Sequence, residues 1–215
     1  MSGIEEETLS GARLRDRVAA TMKTRELRPP PLHVWRIPRV KYECMVTAGA
    51  FGPEDRVELL DGFLIVREPQ GSRHAVAVGL IRAALERAFG EGYHVREEKP
   101  LALDTLSEPE PDLMVVRGRL RDYRDAHPSA PVLVVEVADT SVGFDLETKI
   151  PLYARAGIPE SWLVHLPESR IEAHRQPTPT GYQEVIRLAR GMRLTPLAFP
   201  DLVLAVDDIL GTAPA

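Results

Sequence analysis

Pro131-Val132-Leu133-Val134-Val135-Glu136-Val137-Ala138 is an apolar run with a single carboxylate inside it. A run of this length and β-branched content reads as a buried strand. An ionised carboxylate is almost never fully buried unless a counter-charge or a metal ion takes up its charge. Glu136 is therefore the residue to explain. Upstream, Pro111-Asp112-Leu113-Met114-Val115-Val116 is a second apolar run that opens on another acid. Two carboxylates on neighbouring buried strands suggest a divalent-cation site. Lys149, on the helix expected next and one of only four lysines in the chain, makes the set look catalytic.

Around these strands the pattern is a mixture of helices and consecutive strands. Ile4 to Leu27 has helical spacing at Leu14, Val18 and Met22, and Pro29-Pro30-Pro31 breaks it, so it reads as an arm. Arg56 to Val66 is a hairpin, with Asp61-Gly62 supplying the positive φ values of a tight turn. Ser72 is placed to cap a helix running to Phe89, with Val76, Leu80, Ala83 and Ala84 on one face, and Glu91-Gly92 ends it. Strands are expected over Tyr93–Leu103, Asp112–Val116, Val132–Val137, Ser161–Leu166, Arg170–Arg175 and Tyr182–Leu188. A helix after Phe144 should hold Pro151 in its first turn and end at Gly157, and a short helix within Pro200–Leu210 should close the chain. Strands outnumber helices and several follow one another directly. The fold class is α+β, or α/β with a mixed central β-sheet flanked by helices, and not a doubly wound parallel sheet.

The chain has 215 residues, enough for one domain with an extension. A lone cysteine, Cys44, excludes an internal disulfide and fits a reducing compartment. Met1 to Ser10 is acidic and lacks a basic region followed by an apolar core, and no stretch approaches the roughly 20 apolar residues of a membrane span. These features lead us to expect a cytoplasmic protein with no membrane partner. The net charge is -5, but Gly11–Lys41 holds nine Lys or Arg against two acids, and Arg117, Arg119, Arg121 and Arg124 form a second basic cluster. Such stripes neutralise phosphates or simply face solvent.

A metal-dependent phosphodiesterase needs hard oxygen ligands and a nearby cation. Asp112, Glu136 and the backbone carbonyl of Val137 would supply a first shell, Lys149 the cation, and Glu58 on the hairpin a further carboxylate through water. Each has a plainer reading. Asp145 and Lys149 are spaced for an i,i+4 ion pair, and Asp112 would serve as a turn residue after Pro111. Glu136 would serve as a structural acid paired with Arg. His74 reads as a packing or capping histidine, and Tyr153 and Trp162 as core. No Gly-x-Ser-x-Gly elbow and no glycine-rich phosphate loop occurs, so nucleophilic serine chemistry and ATP hydrolysis find no support.

In order along the chain stand Glu58-Leu59-Leu60-Asp61-Gly62, His74, Pro111-Asp112, Val135-Glu136-Val137, Asp145-x-x-x-Lys149-x-x-x-Tyr153 and Gly157-Ile158-Pro159-Glu160-Ser161-Trp162. This series resembles the Uma2 family, or DUF820, of the PD-(D/E)XK restriction-endonuclease-like superfamily. It covers roughly Val34 to Leu210. The resemblance implies a restriction-endonuclease-like core in residues 31–215 and leaves the helical arm, residues 1–30, outside it. It implies that Asp112 and Glu136 bind Mg²⁺, with Mn²⁺ as a substitute, and that Glu58 matches the family's early acid. Ala138 stands where the superfamily pattern has a lysine, and Lys149 matches the position to which that lysine has moved. The implied activity is hydrolysis of DNA phosphodiester bonds. The competing reading is a nucleic-acid-binding or assembly protein that keeps the fold without useful turnover. The apolar stripe of the arm further suggests a homo-oligomer.

Overall fold

The two apolar runs become neighbouring antiparallel strands, β4 (Leu113–Arg117) and β5 (Leu133–Ala138), with Leu113 opposite Val135 and Val115 opposite Leu133. The computed structural model describes residues 34–52, 54–67 and 69–211. The expected helix over Ile4–Leu27, and with it the whole arm of residues 1–30, lies outside the described residues. The other elements are α1 (Arg39–Thr47), β1 (Val57–Leu60), β2 (Phe63–Val66), α2 (Ser72–Phe89), β3 (Tyr93–Glu97), α3 (Ile150–Arg155), β6 (Glu160–His165), β7 (Arg170–Thr178), β8 (Gly181–Ala189), β9 (Arg193–Leu194), β10 (Leu204–Ala205) and α4 (Val206–Leu210).

Six strands form one mixed sheet in the order β3-β4-β5-β6-β7-β8. Only β5 and β6 run parallel. Parallel neighbours need a crossover, usually helical, and the helical stretch from Val142 to Arg155 provides it. Both faces of the sheet are covered, which is why β5 is buried throughout and reads as a continuous apolar run. Leu133, Val135 and Val137 pack with Trp162, Val164 and Ile171 beneath Ile81 and Leu85 of α2 and Ile209 of α4. Val134 and Ala138 face the other way, with Met114, Val116 and Leu163, against Ile150 and Tyr153 of α3 and Leu60 of the hairpin. The pleat puts Glu136 on this second face.

The hairpin forms as expected. Asp61 and Gly62 have φ of 49° and 80°, the pair of left-handed residues that a tight two-residue turn requires. A Cβ on Gly62 would also stand 2.5 Å from Cβ of Arg36. Several expected boundaries shift. Strand β3 stops at Glu97, not Leu103, because Glu98 turns to φ 46° and Pro100 follows. The cap of α2 is Gly71, and Ser72 is its first helical residue. Its buried face is His74, Ala77, Val78, Ile81, Ala84, Leu85 and Phe89, so Val76 and Leu80 lie outward. Helix α1 was not expected from the sequence: it has no apolar stripe and buries only Tyr42. No helix among the described residues is long and apolar enough to cross a membrane.

The crossover departs from a plain α-helix in a way that bears on the site. A helical turn at Val142–Phe144 runs into a π-turn over Asp145–Lys149 and then into α3. Pro151 has no N–H to give Glu147, and its ring crowds the carbonyl four residues back. The widened turn accommodates this, with the Ile150 N–H donating to the Asp145 carbonyl.

Candidate active site

Glu58, Glu136 and Lys149 come from three distant parts of the chain and meet in the buried layer between the sheet and α3. Lys149 Nζ lies 3.2 Å from Glu58 Oε1 and 3.4 Å from both carboxylate oxygens of Glu136. The π-turn makes this contact: one extra residue per turn rotates Lys149 out of line with Asp145. The i,i+4 ion pair suggested by the spacing is not formed. Asp145 Oδ2 instead accepts a hydrogen bond from Ser141 Oγ at 2.6 Å.

Glu58 is placed by a third chain segment beside the hairpin. Leu59 and Glu108 exchange backbone hydrogen bonds, and the Glu110 N–H donates to Glu58 Oε2 at 3.0 Å. That segment, Glu108-Pro109-Glu110-Pro111, leads directly into Asp112 and β4. Asp112 lies just beyond the last β4–β5 pair, so its side chain takes over a ladder bond. Its Oδ2 accepts the Val137 N–H at 2.7 Å and lies 3.1 Å from Nε2 of His74, in the first turn of α2. Its Oδ1 accepts from Gln70 Nε2 at 3.3 Å. Asp112 is thus a strand-end clasp as well as a ligand candidate, and the turn-residue reading does not describe it.

Tyr153, expected as core, is buried and also donates its hydroxyl to Glu136 Oε1 at 2.5 Å. It stands four residues after Lys149, close enough to reach the same carboxylate. His74 is neither a cap nor simple packing. Arg67, Gln70, Glu98 and Glu110 also surround the site, and no periodic signal in the sequence marks them. Trp162 does pack the core on the opposite face of the sheet, its indole N–H donating to Glu160.

The electrostatics follow from burial. Desolvation pushes the Glu136 carboxyl up to about 8 although Lys149 opposes it, and the charges of Asp112, Asp145 and Glu58 push the same way. Burial alone would lower Lys149, but the carboxylates of Glu136, Glu58, Asp145 and Asp112 outweigh it and hold the ammonium protonated. Burial raises Asp145 to about 6 against the pull of Lys149 and Ser141. His74 resists burial: its hydrogen bond to Asp112 and that carboxylate's charge raise it, helped by Glu98 and the Val137 carbonyl.

Among the described residues, no group of three or more His, Cys, Asp or Glu side chains is placed to hold a metal ion. Mg²⁺ does not need such a group, since it is held by one or two carboxylates, its own waters and substrate phosphate. The donors here are hard oxygens, and Glu58, Asp112, Glu136 and Asp145 outnumber Lys149. This set fits a small divalent cation better than a soft one.

The basic cluster at Arg117–Arg124, read from the sequence as phosphate-binding or solvent-facing, begins away from these acids. Arg117 ends β4, five residues from Asp112, or about 17 Å at the rise of a strand. Its guanidinium instead donates to Tyr93 Oη and sits over that ring. A surface hollow of about 340 Å³ on α1, lined by Val40, Glu43, Cys44, Thr47 and Ala48, includes none of the site residues.

With the geometry in view, comparison with known proteins is informative. Residues 40–207 match the Uma2 family, described as "Putative restriction endonuclease". Among solved structures, the chain resembles a protein from Anabaena variabilis titled a "putative nuclease belonging to DUF820". The TM-score is 0.62 at 15% identity, over 74% of this chain and 92% of that one. At that identity the likeness shows the fold. No curated protein matches the sequence. The family match takes in Glu58, Asp112, Glu136 and Lys149 and spans well over half of the sequence, and by that measure the chain belongs to the Uma2 family.

Proposed function

We propose that this protein is a metal-dependent endonuclease that hydrolyses DNA phosphodiester bonds. The observation that carries the reading is a buried lysine shared by two acids, Glu58 and Glu136, with a third acid, Asp112, at the end of the adjoining strand. A structural ion pair needs one acid per lysine. Holding all three acids ionised out of water is costly unless a further cation joins them, and without one Glu136 is pushed towards its neutral form. Membership in the family supports a nuclease over other phosphate-ester hydrolases.

Asp112, Glu136 and the Val137 carbonyl would hold Mg²⁺, or Mn²⁺ in its place, with Glu58 acting through water. The bound cation would lower the pKa of a water and offset charge on the phosphate. The chain's own groups do the positioning. Tyr153 fixes one oxygen of Glu136, and the Val137 N–H with His74 fixes one oxygen of Asp112, leaving Oδ1 to the Gln70 side. Lys149 stays protonated, and it would orient the attacking water or the phosphate oxygen on which charge develops.

The test is cleavage of supercoiled, linear and single-stranded DNA by purified protein with Mg²⁺, Mn²⁺ or EDTA. We expect nicking that needs metal, and a loss of at least 10²-fold in Asp112→Asn, Glu136→Gln and Lys149→Met. Wild-type cleavage in all three variants would trace the activity to a contaminant. Metal-independent DNA binding without cleavage would favour an inert binding or assembly protein on the same fold.

A further inference from the structure

The hairpin that supplies Glu58 also carries a guanidinium to the site. Arg67 follows β2, and its N–H donates to the Arg56 carbonyl at 2.7 Å, so the ladder of the hairpin fixes its backbone. Its side chain is 10% exposed and is surrounded by acids. Nη1 donates to Glu110 Oε2 at 2.8 Å, while Nη2 is 3.5 Å from Glu98 Oε1 and 4.0 Å from Asp112 Oδ1.

We propose that Arg67 is a phosphate-binding residue of this site, its guanidinium meeting a non-bridging oxygen of the DNA backbone beside Asp112. The inference rests on the nuclease reading and adds a substrate contact to it. A guanidinium carries five donors in a planar fork. Two arginines that clasp structure here each make at least two close hydrogen bonds. Arg175 gives Nε and Nη2 to Glu160 at 2.9 and 2.7 Å and reaches the Thr195 carbonyl as well. Arg155 donates Nη2 to both oxygens of Asp61 at 2.8 Å. Among the described residues Arg67 makes one hydrogen bond of that quality, and its other two acids stand at ion-pair distance only. Nη2 lies between Glu98 and Asp112, where donors remain for another acceptor.

Two other cations near the site are less suited to that contact. Lys149 is buried between Glu58 and Glu136, and Arg73 is an exposed side chain paired with Asp139. The Arg117–Arg124 cluster is at the far end of β4. A cation on Asp112 would take up the charge that draws Nη2, and phosphate arriving at that cation brings acceptor oxygens matched to the fork.

The experiment uses the full chain, a fluorescein-labelled duplex and Ca²⁺ in place of Mg²⁺ to hold back cleavage, with anisotropy read across a salt series. Wild type is compared with Arg67→Met and Arg67→Lys, and thermal melts check each fold. Loss of one phosphate contact should weaken Arg67→Met about tenfold and reduce the salt slope by about one. Arg67→Lys should keep the slope and bind with intermediate affinity. In Mg²⁺, Arg67→Met should raise KM more than it lowers kcat. A folded Arg67→Met with wild-type slope and KM, while wild type cleaves, overturns the inference and leaves the nuclease reading standing. If Arg67→Met does not fold, Arg67→Lys decides: wild-type affinity overturns the inference and weakened affinity supports it. A wild-type protein that neither binds nor cuts DNA overturns both.

Discussion

Glu136 has two kinds of partner: a cation it shares with Glu58, and a hydroxyl that is its own. Once Glu136 is ionised, the Tyr153 hydrogen bond that it accepts should contribute roughly 1.5–3 kcal/mol, the range for bonds to charged groups. It also favours the ionised form of a carboxyl that burial pushes up. Ligands must be deprotonated to hold metal, so this bond tunes metal affinity. Tyr153→Phe should therefore lower the melting temperature and shift the Mg²⁺ midpoint of cleavage several-fold higher, with a smaller loss at saturating Mg²⁺. A lowered melting temperature with an unmoved midpoint would leave Tyr153 as packing alone. The burial of Glu136 was legible because it breaks an apolar run, a cost that has to be explained, and that of Asp112 because it opens a second one. The contact of Lys149 was not legible locally, since its spacing from Asp145 suggests a pair that the π-turn abolishes. Arg67 and Gln70 belong to an irregular connection, where no period exists to single them out.

The crossover between β5 and β6 shows how one residue type sets the geometry of an element. Without Pro151 the chain could form an unbroken α-helix through Lys149, with an added N–H for the Glu147 carbonyl. Pro151→Ala should hold or raise the melting temperature. It should also turn Lys149 towards Asp145 and cut cleavage about tenfold or more, because misplacement of a positioned group by an ångström costs up to about 10²-fold. Unchanged cleavage together with unchanged stability would mean that packing of Ile150 and Tyr153, not Pro151, holds the π-turn. Most elements were legible for the same reason that this one was not. The strands are apolar runs bounded by turn residues, and Asp61-Gly62 announces its own turn. The outward position of Val76 and Leu80 was not legible, because Ala77 and Ala84 are small and Val76 is β-branched. Burial on α2 follows Ile81, Leu85 and Phe89, which span the face that meets β5.

Across the whole chain, charge and apolar pattern disagree about what the N-terminal segment is for. The chain is acidic overall, and the arginines nearest the acids of the site are engaged with carboxylates. Phosphates beyond the one assigned to Arg67 need cations from elsewhere. Gly11–Lys41 is the basic stretch, yet Arg28, Arg36, Arg39 and Lys41 lie beyond Leu27. The first 27 residues hold five Lys or Arg and five Asp or Glu, so deleting them leaves the net charge at -5. What such a deletion does remove is the stripe of Leu14, Val18 and Met22, whose helical spacing calls for burial against another apolar surface. We therefore expect full-length protein to be a homo-oligomer in light scattering and the chain from Arg28 onward to lose mass per particle. The salt slope of DNA binding should change by less than one phosphate contact. Unchanged mass with a clearly flattened slope would reverse the assignment, because counterion release depends on which cations touch phosphate and not on net charge. Light scattering and salt titration on the same truncated protein then decide between a subunit contact and a DNA contact.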